Sequence, residues 1–419
     1  MFAGLFAAPL AFGAVAGWAW GGLAVLAAVI FLLWGVDALQ RESVTVVWSP
    51  LYALGGLFLA FAAVQFWVGR TADPWSTQEA ILKFATYLIL FFVAGQLLHS
   101  ASKQTWSRYG LAVAVYVLLL SLFAILQYFA SPFLIYGIVK PRWGGWIFGP
   151  YVNHNHYAGL MEMLVPVAVA CWMTRPRQDP TRRIAAFAAI LGVVSVLLSG
   201  SRGGMLAIVV EACILIAVVT RRAPRLQLRA GLLPIALGLL IVAAGFLWVA
   251  PSNISKRLET VVELAAPSEV SFVYRKMAAL DSFHMLRDHL WLGTGLGSFE
   301  YAFPKYQTFP SDAMWGHAHD DYAEAAAETG LVGIALIALA ILLWFRISAR
   351  GLGERLRHRT GWLQFGAMLG CCGLLVHSLA DFNFHIPANA AWFAVLAAWA
   401  ISIPKFSLET RSTNGGTGD

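Results

Sequence analysis

WGHAHDDYAEAAAETGLVGIALIALAILLWF, residues 315–345, changes character halfway along. Its first half holds His317, His319, Asp320, Asp321, Glu324 and Glu328. From Thr329 to Phe345 it carries no charge at all. A membrane-spanning helix needs roughly 20 apolar residues, and the second half reads as such a span, near 329–346. Ala323 to Glu328 is strong helix former, and acids suit a helix N-terminus, so the helix is expected to begin at about Asp320. The histidines then stand at the mouth of a span. Six ionisable side chains at the edge of a hydrocarbon layer are expensive unless they have work to do.

Working outward, the same apolar pattern recurs along the chain. Spans are expected near 2–16, 19–36, 45–68, 79–98, 107–129, 157–173, 184–199, 203–220, 230–250, 329–346, 362–380 and 387–404. Composition agrees, with 59% apolar and 12% charged residues, against roughly 25% charged in soluble domains. The 17 tryptophans suit aromatic belts at two interfaces. The run from Met1 to Val36 is too long for one span, and Gly17–Gly22 offers a turn. No Lys or Arg precedes Arg41, so the run lacks the basic region of a cleaved leader and reads as retained helix. The organisation expected is 1–250 with spans one to nine, a helical loop 251–328, spans ten to twelve in 329–404, and a polar, disordered tail 405–419. Cys171, Cys213, Cys371 and Cys372 sit in apolar runs and read as small buried residues, not disulfides. The net charge of +7 needs only cytoplasmic loops to explain it. No basic run is interleaved with aromatics, so nucleic acid is not expected as a partner.

Lys and Arg set the orientation. Arg175, Arg177, Arg182 and Arg183 mark one loop, Arg221, Arg222, Arg225 and Arg229 a second, and Arg346, Arg350, Arg355, Arg357 and Arg359 a third. With twelve spans and a cytoplasmic N-terminus, all three are cytoplasmic. Loops 131–156, 200–202, 251–328 and 381–386 then share the other side, and with them every polar cluster of interest. In the long loop one helix is expected from Ser252 to about Leu264. A second should run from Pro267-Ser268 to about His289, with Val273, Met277, Leu280 and His284 on one face. Gly293, Gly295 and Gly297 form a G-x-G-x-G with no strand before it, which reads as a tight turn and not a dinucleotide loop.

Several residues carry possible chemistry. Histidine accepts a proton near neutral pH, and a neighbouring carboxylate orients it; Asp320, Asp321 and Glu324 are the neighbours in sequence. The bland alternative is an interfacial cluster satisfying loop hydrogen bonds. A metal site is another alternative, with His154 and His156 the only reserve of ligands at hand. Arg202 lies in SGSRGG at the start of a span, where guanidinium and helix amides would hold phosphate oxygens; it could also simply snorkel. Arg275 lies on the second loop helix and Arg142 beside Trp143 and Trp146. Asn153-His154-Asn155-His156 would bind a sugar or cap a helix. Glu162 and Glu211 face the bundle interior, with Glu211 free to pair with an arginine. Asp381 and His385 fill the last turn on the same side, before Pro387. Arginines and a histidine base together suit an anionic, membrane-borne substrate such as a lipid diphosphate. A solute or ion transporter is the competing class, and it predicts polar groups at mid-membrane with inverted repeats.

SGSRGG (199–204), Arg275 ahead of DHLWLGTGLGSF (288–299), HAHDDYAEAAAETGLVG (317–333) and HSLADFNFHIPANA (377–390) together resemble the O-antigen ligase and polymerase superfamily. The resemblance covers most of the chain from Gly149 onwards. It implies an all-α, GT-C-like membrane fold of about twelve spans in the bacterial inner membrane, with the active site facing the periplasm. It implies a glycosyltransferase without cofactor, taking a glycan from undecaprenyl diphosphate to lipid A-core, to a growing glycan or to protein. It implies metal-independent, inverting transfer. Arg202 and Arg275 match the family's diphosphate contacts; His319 matches its base, with His317 the weaker match. Arg142, His154, His156, Asp320 and Asp321 are further candidate contacts. The family's commoner pattern is His-x-His-Asn, and here Asp320 stands in place of the Asn.

Overall fold

The computed structural model describes residues 1–41, 46–141, 145–222, 272–311 and 314–405. Among these there is no strand, only two isolated bridges in the loop 131–153. The helices are α1 Phe2–Leu10, α2 Gly17–Gln40, α3 Pro50–Trp67, α4 Pro74–Ser100, α5 Lys103–Ala130, α6 His154–Thr174, α7 Pro180–Ser199 and α8 Arg202–Arg222. They continue with α9 Phe272–Asp288, α10 Phe299–Ala302, α11 Asp321–Ala349, α12 Leu352–Arg355, α13 Arg359–His377 and α14 Pro387–Ile401. Eight of the described helices, α2 to α8 and α11, are long and apolar enough to cross a bilayer. The chain is a multi-pass membrane protein whose described elements are all helical.

Local sequence sets several helix starts. Ser49, Asp73 and Asp179 each precede a proline and cap the helix through the side chain, accepting from Leu51, Ser76 and Thr181 amides respectively. Proline costs nothing at the first helical position, where its missing N–H would be unpaired anyway.

The first expected span differs. α1 has nine residues and is about 14 Å long, under half of a ~30 Å hydrocarbon layer. The break falls at Phe12, Gly13 and Ala14, with φ of 57°, 73° and 56°. It does not fall at Gly17–Gly22, which lie inside α2, where intrahelical bonding satisfies their backbone without water. α1 packs on α5, α14 and the loop after α5: Phe2 lies against Tyr109 and Trp399, and the Leu10 carbonyl accepts from Tyr136. The expected ninth span, 230–250, and the expected helix 252–264 lie outside the described residues, as does the tail from 406.

The core is built on α6, buried along almost its whole length and packed by α5, α7, α8 and α13. α13 approaches it so closely that a Cβ on Gly370 would lie 2.1 Å from the Met163 carbonyl oxygen. Small residues allow such backbone contact in membranes. α14 packs on α4, α13, α1 and α6, with Trp392 fully buried and its indole donating to the Leu5 carbonyl (2.9 Å).

α11 bends at Gly330 (φ 62°, ψ −166°), a conformation essentially confined to glycine. The Gly293–Gly297 turn docks against this bend, all three glycines having positive φ. Amides of Gly297 and Phe299 both donate to the Glu328 carboxylate (2.8 Å each). The G-x-G-x-G is therefore a tight turn, as expected, and it cradles an internal carboxylate.

One expectation is corrected. Cys213 is exposed, while the other three cysteines are buried; all four are free. On α9, Val273, Leu280 and His284 of the expected face are exposed, whereas Met277 is partly buried. The opposite face is buried, with Ala278 and Met285 packed among Phe299, Phe303, Phe309 and Trp315; on it Asp281 accepts from the Thr308 amide (2.9 Å) and Ser282 bonds its own helix. Glu211 pairs with no arginine among the described residues.

Candidate active site

The start of α6, the α7–α8 turn, the start of α11 and the α13–α14 turn converge at one end of the bundle. The Asp321 amide donates to the carbonyls of Ser378 (2.9 Å) and Asp381 (3.2 Å), fastening the mouth of α11 to the last turn. Asn389, in the IPANA segment, donates to the His156 carbonyl (2.9 Å) and to Asn383 Oδ1 (3.0 Å), and accepts from Tyr151 (2.8 Å).

Asp381 is the centre of this junction and is fully buried. Its Oδ1 lies 3.8 Å from His319 Nδ1 and 3.8 Å from His156 Nε2; its Oδ2 lies 4.0 Å from His377 Nε2. His377 turns its other nitrogen to Glu162 (3.0 Å) and lies 3.5 Å from Ser201 Oγ, the residue before Arg202. Phe382 supports the group, its ring 4.2 Å from that of His317, 4.7 Å from His156 and 4.9 Å from His319.

His319 has a left-handed backbone (φ 55°), which costs a residue with a Cβ roughly 1 kcal/mol or more. Its Nδ1 is buried without a hydrogen-bond partner among the described residues. Burial lowers its pKa below the ordinary histidine value, and Arg275 and His317 add to the lowering against the opposing pull of Asp381. Burial opposes ionisation of Asp381 too, but its imidazole neighbours, His156 foremost, outweigh that and hold it well below the usual carboxylate range. The pair is thus a neutral imidazole beside a carboxylate.

His317 belongs to a separate group. Its Nδ1 is 2.8 Å from Glu324 Oε1, and the Ala318 amide donates to Glu324 Oε2 (2.8 Å). His385 bridges Glu324 (3.1 Å) and Asp321 (3.0 Å). Burial works against a charged His385, yet the two carboxylates, Glu324 first, push its pKa up to about 10.

The other expected residues divide. Asp320 caps α11, accepting from the amides of Tyr322 (2.9 Å) and Ala323 (3.0 Å). Its carboxylate is spent on the helix start, and burial raises its pKa against those two bonds. Asn153 likewise caps α6. His156 joins Asp381, and His154 packs against Trp146 (4.7 Å). Arg275 lies within electrostatic range of His319 and His154, and its Nε is buried without a hydrogen-bond partner among the described residues. Arg202 begins α8 and is exposed. Neither arginine is paired with a carboxylate among the described residues. Arg142 lies outside the described residues. Sequence reasoning marked Asp381 and Glu162 as polar lining but missed their partners, which lie 62 and 215 residues away in the chain.

Residues 186–338 match the O-antigen ligase family model. This bears out the superfamily resemblance seen in the motifs. The matched segment contains Arg202, Arg275, His317, His319 and Glu324, whereas Asp381, His385, His154 and His156 come from outside it. No curated protein matches the chain. The matched segment therefore supplies one half of the junction and the flanking helices the other.

Proposed function

We propose that the chain transfers a glycan from an undecaprenyl-diphosphate carrier to an acceptor hydroxyl, on the non-cytoplasmic face of the bacterial inner membrane. The observation that carries the reading is the buried His319–Asp381 pair, set beside an Arg275 with no carboxylate partner among the described residues, in a chain matching the O-antigen ligase family model over residues 186–338. About twelve crossings and a GT-C-like helix arrangement belong to the same proposal.

The side follows from charge. Helix direction puts Arg175, Arg177, Arg182 and Arg183 between α6 and α7, Arg221 at the end of α8, and Arg350 to Arg359 between α11 and α13. All are at the ends opposite the site, and short arginine-rich loops stay cytoplasmic.

In the reaction, His319 Nδ1 faces Asp381, leaving Nε2 to take the proton of the acceptor O–H as the new C–O bond forms at the anomeric carbon. The bond from that carbon to the diphosphate oxygen breaks, and its electron pair leaves with the carrier. Attack from the face opposite the leaving group inverts the anomeric centre. Arg275 and Arg202 stabilise the charge gathering on the diphosphate. Asp381 stabilises the imidazolium formed on His319, as an orienting carboxylate does. His317, anchored to Glu324, holds the loop that carries His319.

The test is purified protein with a defined lipid-linked glycan and separate candidate acceptors. Movement of the glycan to lipid A-core or protein defines a ligase; lengthening of the glycan defines a polymerase. His319→Ala should abolish turnover, and unchanged turnover would overturn the base assignment.

A further inference from the structure

His317, Glu324 and His385 stand apart from the reacting pair, and their geometry is that of a ligand set. Glu324 Oε1 lies 2.8 Å from His317 Nδ1 and 3.1 Å from His385 Nε2. All three ligand atoms lie within 4.8 Å of one another. Tetrahedral zinc with bonds of about 2.0–2.1 Å keeps its ligand atoms ~3.3 Å apart, so the two Glu324 contacts need lengthen by only a few tenths of an ångström, and the two imidazoles adjust their separation, to admit the ion.

The surroundings match as well. His385 gives its other nitrogen to Asp321 Oδ1 (3.0 Å), the carboxylate–histidine arrangement that orients a metal-bound imidazole. The second oxygen of Glu324 is held by the Ala318 amide (2.8 Å). Glu324 is buried, while the side chains of His317 and His385 are 32% and 29% exposed. A fourth position therefore opens towards solvent. His319 is not one of the three clustered ligands; its Nδ1 lies 3.8 Å from Asp381 Oδ1.

We propose that His317, Glu324 and His385 form a binding site for a divalent cation of the zinc class, tying the 315–320 loop to the α13–α14 turn. The same atoms also satisfy one another by hydrogen bonding, so the ion is a reversible ligand that stiffens the loop carrying His319. The third ligand, His385, comes from 61 residues beyond Glu324, and the His154–His156 pair plays no part. This proposal does not depend on glycan transfer.

The experiment titrates Co²⁺ into detergent-purified protein stripped with EDTA and then freed of it. Visible d–d bands of a four-coordinate cobalt site, displaced by Zn²⁺, and a raised melting temperature with Zn²⁺ are expected. Asp321→Asn should weaken binding by about 10- to 100-fold. Glu324→Gln and His385→Ala should abolish the bands, and His319→Ala should retain them. His317→Ala removes a partly exposed ligand and tests the site even if the buried variants fail to fold. Absence of the bands, or bands that survive in His317→Ala and His385→Ala alike, would overturn the proposal. Glycan-transfer activity has no bearing on either result.

Discussion

Asp381→Asn tests the chemistry with the least disturbance of shape. Asparagine keeps the volume and an oxygen to accept the Phe382 amide, now 3.0 Å from Asp381 Oδ1. What it removes is a charge 3.8 Å from His319 Nδ1. At that separation Coulomb's law gives about 1 kcal/mol at a water-like dielectric and about 4 kcal/mol at an effective value near 20. Since Asp381 is fully buried, the true figure should lie towards the upper end. Imidazolium forms only as the acceptor loses its proton, so the loss falls on kcat: roughly 10- to 10³-fold, with little change in KM for the donor. The pH profile adds a sign. His319 works as the neutral base, so the rate falls as pH drops through its lowered pKa. Asp381 is the influence that opposes this lowering. In the variant the acid limb should therefore move to still lower pH while the plateau falls. The assay is transfer from a lipid-linked glycan across pH. A wild-type plateau, or a fallen plateau with an unmoved acid limb, would refute the pairing; the latter would indicate structural damage alone.

Arg275→Ala should lower kcat by about 10²–10³-fold by removing a stabiliser of the leaving diphosphate, and Arg275→Lys should recover part of it; equal turnover in the alanine variant would count against a diphosphate role. Gly330→Ala forces a Cβ to within 2.6 Å of the Trp291 carbonyl group and 2.7 Å of the Gly293 nitrogen, at a backbone position costing about 1–3 kcal/mol for other residues. A melting temperature equal to wild type would show that the bend in α11 is not needed. For orientation, Lys305→Cys should react with a membrane-impermeant thiol reagent in intact cells, whereas Arg177→Cys should react only after permeabilisation. The reverse pattern would put the site on the cytoplasmic face.

Much of the fold is legible because hydrocarbon imposes a strong rule: an apolar run long enough to cross must be helical. Ser49-Pro50, Asp73-Pro74 and Asp179-Pro180 even mark their helix starts. The first span misleads because Gly13, not the Gly17–Gly22 stretch, takes the left-handed turn, and composition does not distinguish a glycine in a helix from one at a break.

For the site, residue types and local spacing were enough to mark the His317–His319 pair and Arg202 and to gather the polar segments on one side, while the choice of His319 and Arg275 came from the family resemblance. They also suggested Asp320 as the carboxylate beside the base, since it is next in the chain. Tertiary structure decided otherwise. Asp320 turns to the amides of α11, where a free helix end demands an acceptor. The position beside His319 is taken by Asp381, carried there by two further helices. Likewise Glu324 and His385 claim His317, so two histidines one residue apart serve different partners. Sequence by itself determined which groups exist, most of the elements that bear them, and that those elements are long and apolar enough to cross a membrane. Which carboxylate meets which imidazole depends on the packing of helices far apart in the chain, because a contact of a few ångströms is settled by helix angle and close approach, and neither is written in local spacing.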